Sequence, residues 1–387
     1  MFELKSFVVT MLLLLILTGS AVRSETFRFD PVNLDSGGAF QYVLIDPSDR
    51  DVVYALSDVA GVFKSTDGGD SWSSIISGLD SDADLAGASL IIDPNNNQVL
   101  YLATGSNFNV SNGNWGALYR SDNGGMTWTN ETSMVKFSGM GSIRQIGHLL
   151  DFDNQGRLYA GSFKDGLFRR STGGSWTCLG LQGHYIRSVF VHPANNQYIY
   201  VGVQDEGDYA GVYCSTDGGT NWTCVLANQD VRSLVIDPVD VQQVWALTAR
   251  SGVYRTNDTG TSWFLKNNGL QNYLGDRTGN FIAACESNAQ NLVIGFKEDT
   301  AADRNPSMFL SVNGGDSWQV VERNVNMNGS WLASNWFGFN IRSIAIDPVD
   351  PLRMFFTDWY SVYRSLDGGT SWSSCHQGLR NTSIRGI

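Results

Sequence analysis

The sequence predicts an all-β chain folded as a seven-bladed β-propeller of four-stranded antiparallel blades, and three observations lead there. A short motif, Ser/Thr-x-Asp-x-Gly-x-x-Trp, recurs with variations in seven copies, the first running from Ser65 to Trp72. Its closing tryptophans, Trp72, Trp128, Trp176, Trp222, Trp263, Trp318 and Trp372, stand 41 to 56 residues apart, the length of one four-stranded blade. The composition, with 42 glycines, 12 tryptophans and only 17% charged residues, describes many short strands joined by tight turns.

Taken from the N-terminus, residues 1–24 read as a secretory signal peptide. Lys5 precedes an apolar run from Phe7 to Leu17, and the small residues Thr18 to Ala21 follow. The run is too short to span a bilayer and no stop-transfer pattern follows it. Cleavage fits after Ala21 or after Ser24. Residues 25–387 are then the propeller, and no later stretch is apolar enough for a membrane helix. The expected location is extracytoplasmic, secreted or periplasmic, with no membrane insertion once the signal is removed.

Within each unit the elements repeat in phase. An inner strand ends in Asp-Pro or a relative of it, as in Ile45-Asp46-Pro47, Ile92-Asp93-Pro94, Val191-His192-Pro193, Ile236-Asp237-Pro238 and Ile346-Asp347-Pro348. A second strand such as Val53–Leu56 follows, and a third such as Gly61–Lys64 runs into the motif. Their alternating apolar residues predict half-buried sheets. In the motif itself the Asp side chain accepts the turn's own amides, glycines supply positive φ, and the Trp packs back over the hairpin. Asn123 and Asn313 can do the work of Asp, and the copy from Ser171 to Trp176 has lost that residue. At the far end Ile384–Ile387 resembles the opening of another unit, either a strand that closes the ring or the start of something further.

Five cysteines in an exported chain suggest one or two disulfides and an odd thiol. Cys214 and Cys224 flank one motif, where a hairpin brings them opposite each other, and a bridge there is one of two open readings. A formal net charge of −12 argues against nucleic acid as a partner and leaves neutral glycans unaffected.

Repeats of this kind are Asp-box, or BNR, repeats. Gly37-Gly38-Ala39-Phe40, Ile45-Asp46-Pro47, Val53-Tyr54-Ala55 and Ser57-Asp58-Val59-Ala60-Gly61-Val62-Phe63 together resemble the opening of the N-terminal propeller of glycoside hydrolase family 74, the xyloglucan-active endoglucanases. Tyr101–Gly105 and Gly116–Ser121 resemble that family's second blade. The resemblance implies a polysaccharide partner, no cofactor, and a catalytic role for Asp58. It also implies two propellers with the cleft between them, so that a second propeller, carrying the second catalytic Asp, would be missing from this chain. Ser138-Gly139-Met140-Gly141-Ser142-Ile143-Arg144 departs from the family's Gly-Arg-Gly-Met-Gly-Glu-Arg-type segment.

Glycoside hydrolysis needs two carboxyl groups across the scissile bond. Asp58 lies seven residues before its box, an offset shared by Asp358 and Asp208. Blades one and seven adjoin in a closed ring, so Asp58 and Asp358 are expected on one rim as a candidate catalytic pair. The competing reading is that each caps its own turn. Trp115, Trp331, Trp336, Trp359 and Tyr360, with Phe108, Tyr209 and Phe337, fall in long connections rather than at box positions, and suit stacking on sugar rings or ordinary packing. Arg144, Arg187, Arg232 and Arg342, each in Ile-Arg-Ser or a variant of it, are expected at equivalent places. There they would either line one mouth of the channel and receive an anion or pair with neighbouring aspartates. This supports an alternative function, a non-catalytic interaction propeller that binds a protein or anionic partner in a sialidase-like or assembly-factor-like way. His148, His184, His192 and His376 show no metal-ligand spacing. Sequons occur at Asn109, Asn130, Asn221, Asn257, Asn328 and Asn381.

Overall fold

The computed structural model describes residues 38–107, 116–141, 144–204, 209–240, 242–274, 277–298, 307–321, 325–326, 341–358 and 361–379. The expected signal segment and the terminal Ile384–Ile387 lie outside them.

Seven antiparallel sheets of four strands follow one another in chain order. The first strand of each is innermost: Phe40–Ile45, Gly87–Asp93, Leu150–Phe152, Tyr185–Val191, Val231–Ile236, Arg277–Cys285 and Ser343–Ile346. Each packs against the next, and the seventh packs against the first, which closes the ring. The seventh blade gains a fifth strand, Val325–Asn326, parallel to Trp372–Ser374.

The core lies between blades. Phe40 and Phe63 of blade one meet Phe355 and Val362 of blade seven, and Tyr101, Leu118 and Phe137 meet Leu150 and Phe168 across the next-but-one boundary. The second strands Val53–Ser57, Leu158–Gly161, Val244–Thr248 and Met354–Thr357 are buried at every residue. This corrects the expectation of half-buried sheets, because a blade sandwiched between two neighbours has no solvent face in its middle strands. Each such aliphatic or aromatic side chain contributes about 1.5–3 kcal/mol of burial.

The box turns are held by side-chain hydrogen bonds. In blade one Ser65 Oγ donates to Asp67 Oδ1 at 2.7 Å, Ser71 N donates to the same oxygen at 2.8 Å, and Gly69 N donates to Ser65 Oγ at 2.8 Å. Asn123 does the same work through Oδ1, which accepts Thr127 N at 2.9 Å. In the shortened copy Ser171 Oγ takes the Ser175 amide at 3.0 Å.

Three of the box tryptophans reach further than their own hairpins, while the Trp372 indole donates within its own box to the Gly369 carbonyl at 3.2 Å. Indole Nε1 of Trp128, Trp222 and Trp318 donates to the carbonyls of Ile75, Leu179 and Lys266, each in the preceding blade, at 2.8 Å. A Gly-Leu step after the box, Gly78-Leu79, Gly269-Leu270 and Gly378-Leu379, packs under a box tryptophan of the neighbouring blade; the last of these opens the segment Gly378–Thr382, expected from the family resemblance at an interdomain junction. A Cβ at Gly78, Gly269 or Gly378 would lie 2.1 Å from the carbonyl oxygen of Trp128, Trp318 or Trp72. The last of these joins blade seven to blade one, where Trp72 N also donates to Gln377 O at 2.9 Å.

All five cysteines are free thiols, against the disulfides expected of them. In the hairpin Cys214 is paired with Thr223, and Cys224 with Tyr213. The one-residue offset puts the two sulfurs on opposite faces of the sheet, Cys214 buried and Cys224 exposed.

Candidate functional site

Ring closure brings Asp58 and Asp358 to one place. Ala39 N donates to Asp58 Oδ1 at 2.7 Å, and the next amide, Phe40 N, donates to the Asp358 carbonyl at 3.1 Å. The two aspartates therefore flank a single dipeptide at the start of the first inner strand. Asp58 is 3% exposed and Asp358 6%. Asp358 Oδ1 accepts Ser361 N at 2.9 Å and so caps its own turn. Asp58 caps the Ala39 segment instead, and its Oδ2 receives Arg144 Nη1 at 2.7 Å.

Arg144 comes from the connection between blades two and three. The same Nη1 donates to Gln41 Oε1 at 3.0 Å, while Gln41 Nε2 donates to the carbonyls of Gly87 and Gly139 at 3.0 and 2.8 Å. Gln41 thus ties blade one, blade two and the Arg144 connection together. Sequence reasoning missed it, although it stands five residues before Asp46, as Arg187, Arg232 and Arg342 stand before His192, Asp237 and Asp347.

That position has a physical meaning. In five inner strands the register shifts there, so Gln41, Arg187 and Arg232, like Ala88 and Asn280 in blades two and six, are bulged residues turned out of the ladder. Arg342 immediately precedes the seventh inner strand. Arg144 does not share the place expected for it, since it stands nine residues before Asp153, outside any strand, and His148 occupies the equivalent position.

The four arginines nonetheless converge. Arg342, 7% exposed, feels the charges of Arg144, Asp58 and Asp358, and burial pushes its guanidinium down to about 10. Arg187, 4% exposed, is pushed down to about 9 by burial first and then by Arg232 and Arg342, against the opposing charge of Asp230. Both remain cationic at neutral pH. Blades four and seven lie across the ring from each other, so an interaction between Arg187 and Arg342 spans the mouth of the channel. Arg187 Nη1 donates to the Arg144 carbonyl, and Arg232 Nη2 pairs with Asp230 Oδ2 at 2.6 Å. The structure therefore gathers Asp58, Asp358 and the four arginines at one end of the ring.

Trp115, Trp331, Trp336, Trp359 and Tyr360, with Asp208, Phe108 and Phe337, lie outside the described residues. Tyr209 is 65% exposed and meets the edge of His184 at 5.5 Å between ring centroids. Deeper in the ring Asp151 accepts Val191 N at 2.6 Å and Phe152 N at 2.9 Å, while His148 stacks on Phe190 at 4.1 Å. Burial pushes the Asp151 carboxyl up to about 8 and the His148 imidazole down to about 4. Among the described residues no cluster of three or more metal-ligating side chains occurs, and no helix is long and apolar enough to cross a membrane.

Fold and rim together define the class: a seven-bladed propeller that resembles the xyloglucanases of glycoside hydrolase family 74. Among curated proteins the chain is 26% identical to a xyloglucanase from a Paenibacillus species over 92% of its own length and 33% of the relative's. It is 24% identical to an oligoxyloglucan-reducing end-specific xyloglucanase from Emericella nidulans, over 89% of its own length and 52% of that protein's. The chain therefore spans a third to about half of the relatives it matches. The solved GH74 xyloglucanase from Xanthomonas campestris superposes with a TM-score of 0.75 at 21% identity, over 89% of this chain and 55% of that one. The structure of YCF48 bound to D1 peptide superposes at 0.56 with 12% identity, over 87% of this chain and 97% of that one. A family model described as "Sortilin, neurotensin receptor 3" matches residues 210–342.

Proposed function

We propose that this chain is an exported, glycoside hydrolase-like propeller that acts on or binds a β-glucan such as xyloglucan at the rim carrying Asp58 and Asp358. The observation that carries the reading is the attachment of both aspartates to the consecutive amides of Ala39 and Phe40, on adjoining blades. The similarity to xyloglucanases over most of the chain supports it. In hydrolysis water is the nucleophile, and Asp58, facing a guanidinium, suits the base that draws its proton. The acid is then Asp358 or a group on a second propeller.

The second reading is a non-catalytic interaction propeller that takes an anionic partner at the arginines. What favours it is that both Asp58 carboxylate oxygens are engaged, Oδ1 by the Ala39 amide and Oδ2 by Arg144, and that four guanidiniums converge beside it. Reducing-end release from xyloglucan and mixed-linkage glucan, together with retention of both polymers in affinity electrophoresis, decides between them. Release abolished in Asp58→Asn supports a hydrolase, and retention without release supports a glucan-binding propeller. Neither release nor retention leaves the second reading.

A further inference from the structure

Arg187 is the arginine of the mouth that has no carboxylate of its own among the described residues: the one whose charge reaches it, Asp230, is bound to Arg232. It makes no ion pair there, its hydrogen bond goes to the neutral Arg144 carbonyl, and its Nε is buried without a partner. Its neighbour Arg232 likewise has a buried Nε without a partner, although Nη2 is bound to Asp230. Asp230 in turn keeps one buried carboxylate oxygen, Oδ1, that accepts nothing. Buried polar groups are seldom left in this state, and a cluster holding two free donors and one free acceptor describes the complement of a ligand. Guanidinium forks fit a carboxylate in both geometry and charge, and two guanidiniums that share the one carboxylate of Asp230 leave a single surplus positive charge, which calls for a single negative charge rather than two. The free acceptor beside them calls for a hydroxyl on the same ligand.

We propose that the channel mouth is a binding site for a hydroxy-carboxylate, the acidic group and neighbouring hydroxyl of a uronic-acid sugar, with Arg187 and Arg232 holding the carboxylate and Asp230 the hydroxyl. This rests on the second reading, an anion held at the arginines, and not on the glucan reading. A propeller that ignored neutral glucans would still carry the site. Arg144 and Arg232, whose side chains are 22% and 20% exposed, form its open side, and Arg187 its floor.

Isothermal titration calorimetry on the full chain tests this, with D-glucuronate as the probe, D-glucose for hydroxyls without charge, and acetate for charge without hydroxyls. Glucuronate is expected to bind at least tenfold more tightly than either. Arg187→Gln and Arg232→Gln are each expected to weaken it at least tenfold, the effect of losing one charge-assisted hydrogen bond. Should the buried Arg187→Gln fail to fold, the partly exposed Arg232→Gln carries the test. Absence of glucuronate binding, acetate binding as tightly as glucuronate, or binding unchanged in Arg232→Gln would overturn the proposal. Xyloglucan retention on the same preparation reports on the glucan reading separately.

Discussion

Replacing Asp58 by Ala removes more than a candidate catalytic group. The carboxylate accepts Ala39 N at 2.7 Å and Arg144 Nη1 at 2.7 Å, and the Asp58 side chain is only 5% exposed. Breaking a buried pair from one side costs about 3–5 kcal/mol, because the remaining charge stays behind without its partner. The Arg144 side chain is 22% exposed and recovers some hydration, so about 2–4 kcal/mol is the expected loss for Asp58→Ala. Asp58→Asn keeps an acceptor for Ala39 and loses the charge facing Arg144, for about 1.5–3 kcal/mol. Urea unfolding of the two variants, of Arg144→Gln and of the double variant completes a cycle with an expected coupling of about 1–3 kcal/mol. If Asp58→Ala lies within about 0.5 kcal/mol of wild type, or the two sites are additive, the pair does not hold the rim together and the reasoning fails. The same numbers make Asn the better substitution for glycan assays, since activity lost with Ala alone would be confounded with lost fold.

Four further outcomes are expected. Gly378→Ala should destabilise by roughly 2–5 kcal/mol, combining a positive φ with a Cβ 2.1 Å from the Trp72 carbonyl. Gly156→Ala, at φ +73 with nothing within 4 Å, should lose only about 1–2 kcal/mol, and equal denaturation midpoints would show that the blade seven to blade one contact does not matter. Asp151 titrates at about 8 in the folded chain against its ordinary 3.8, so the native state holds a proton that the unfolded chain has released. Its contribution to stability therefore falls as pH rises between these values. Asp151→Asn should gain on wild type by a few kcal/mol from pH 5 to pH 8, read from urea unfolding at each pH, and a constant difference would refute this. His148 works in the other direction: with its folded value near 4 against 6.5, stability is lost as pH falls through that window, and His148→Gln should flatten the acid limb. Finally, Ellman titration of the native chain should find Cys178 and Cys224 reactive at once, with Cys214, Cys285 and Cys375 appearing only on unfolding, and no disulfide by mass spectrometry.

Sequence by itself determined the fold of this protein. Blade number, strand order and the box turns all follow from local chemistry repeated in phase: a Ser or Thr hydroxyl, an Asp or Asn, glycines at positive φ and a Trp, each acting within one hairpin. Its reach ended where contacts cross between blades. That the indoles of Trp128, Trp222 and Trp318 bind the preceding blade and that the second strands are buried on both faces are consequences of packing one sheet against the next, which no single repeat records. The same holds for the seating of Gly378 under Trp72.

The candidate site divides in the same way. Asp58, Asp358 and three arginines could be named from offsets within the repeat, because equivalent positions in a ring face one mouth. Only the tertiary structure decided that Arg144 enters from a connection rather than a strand and that it clamps Asp58. Only there does Gln41 join them, and only there does Arg187, on blade four, meet the charge of Arg342 on blade seven. Those residues are far apart in the chain, and their interactions exist only because a closed ring folds seven local units around a common centre, where burial sharpens every uncompensated charge.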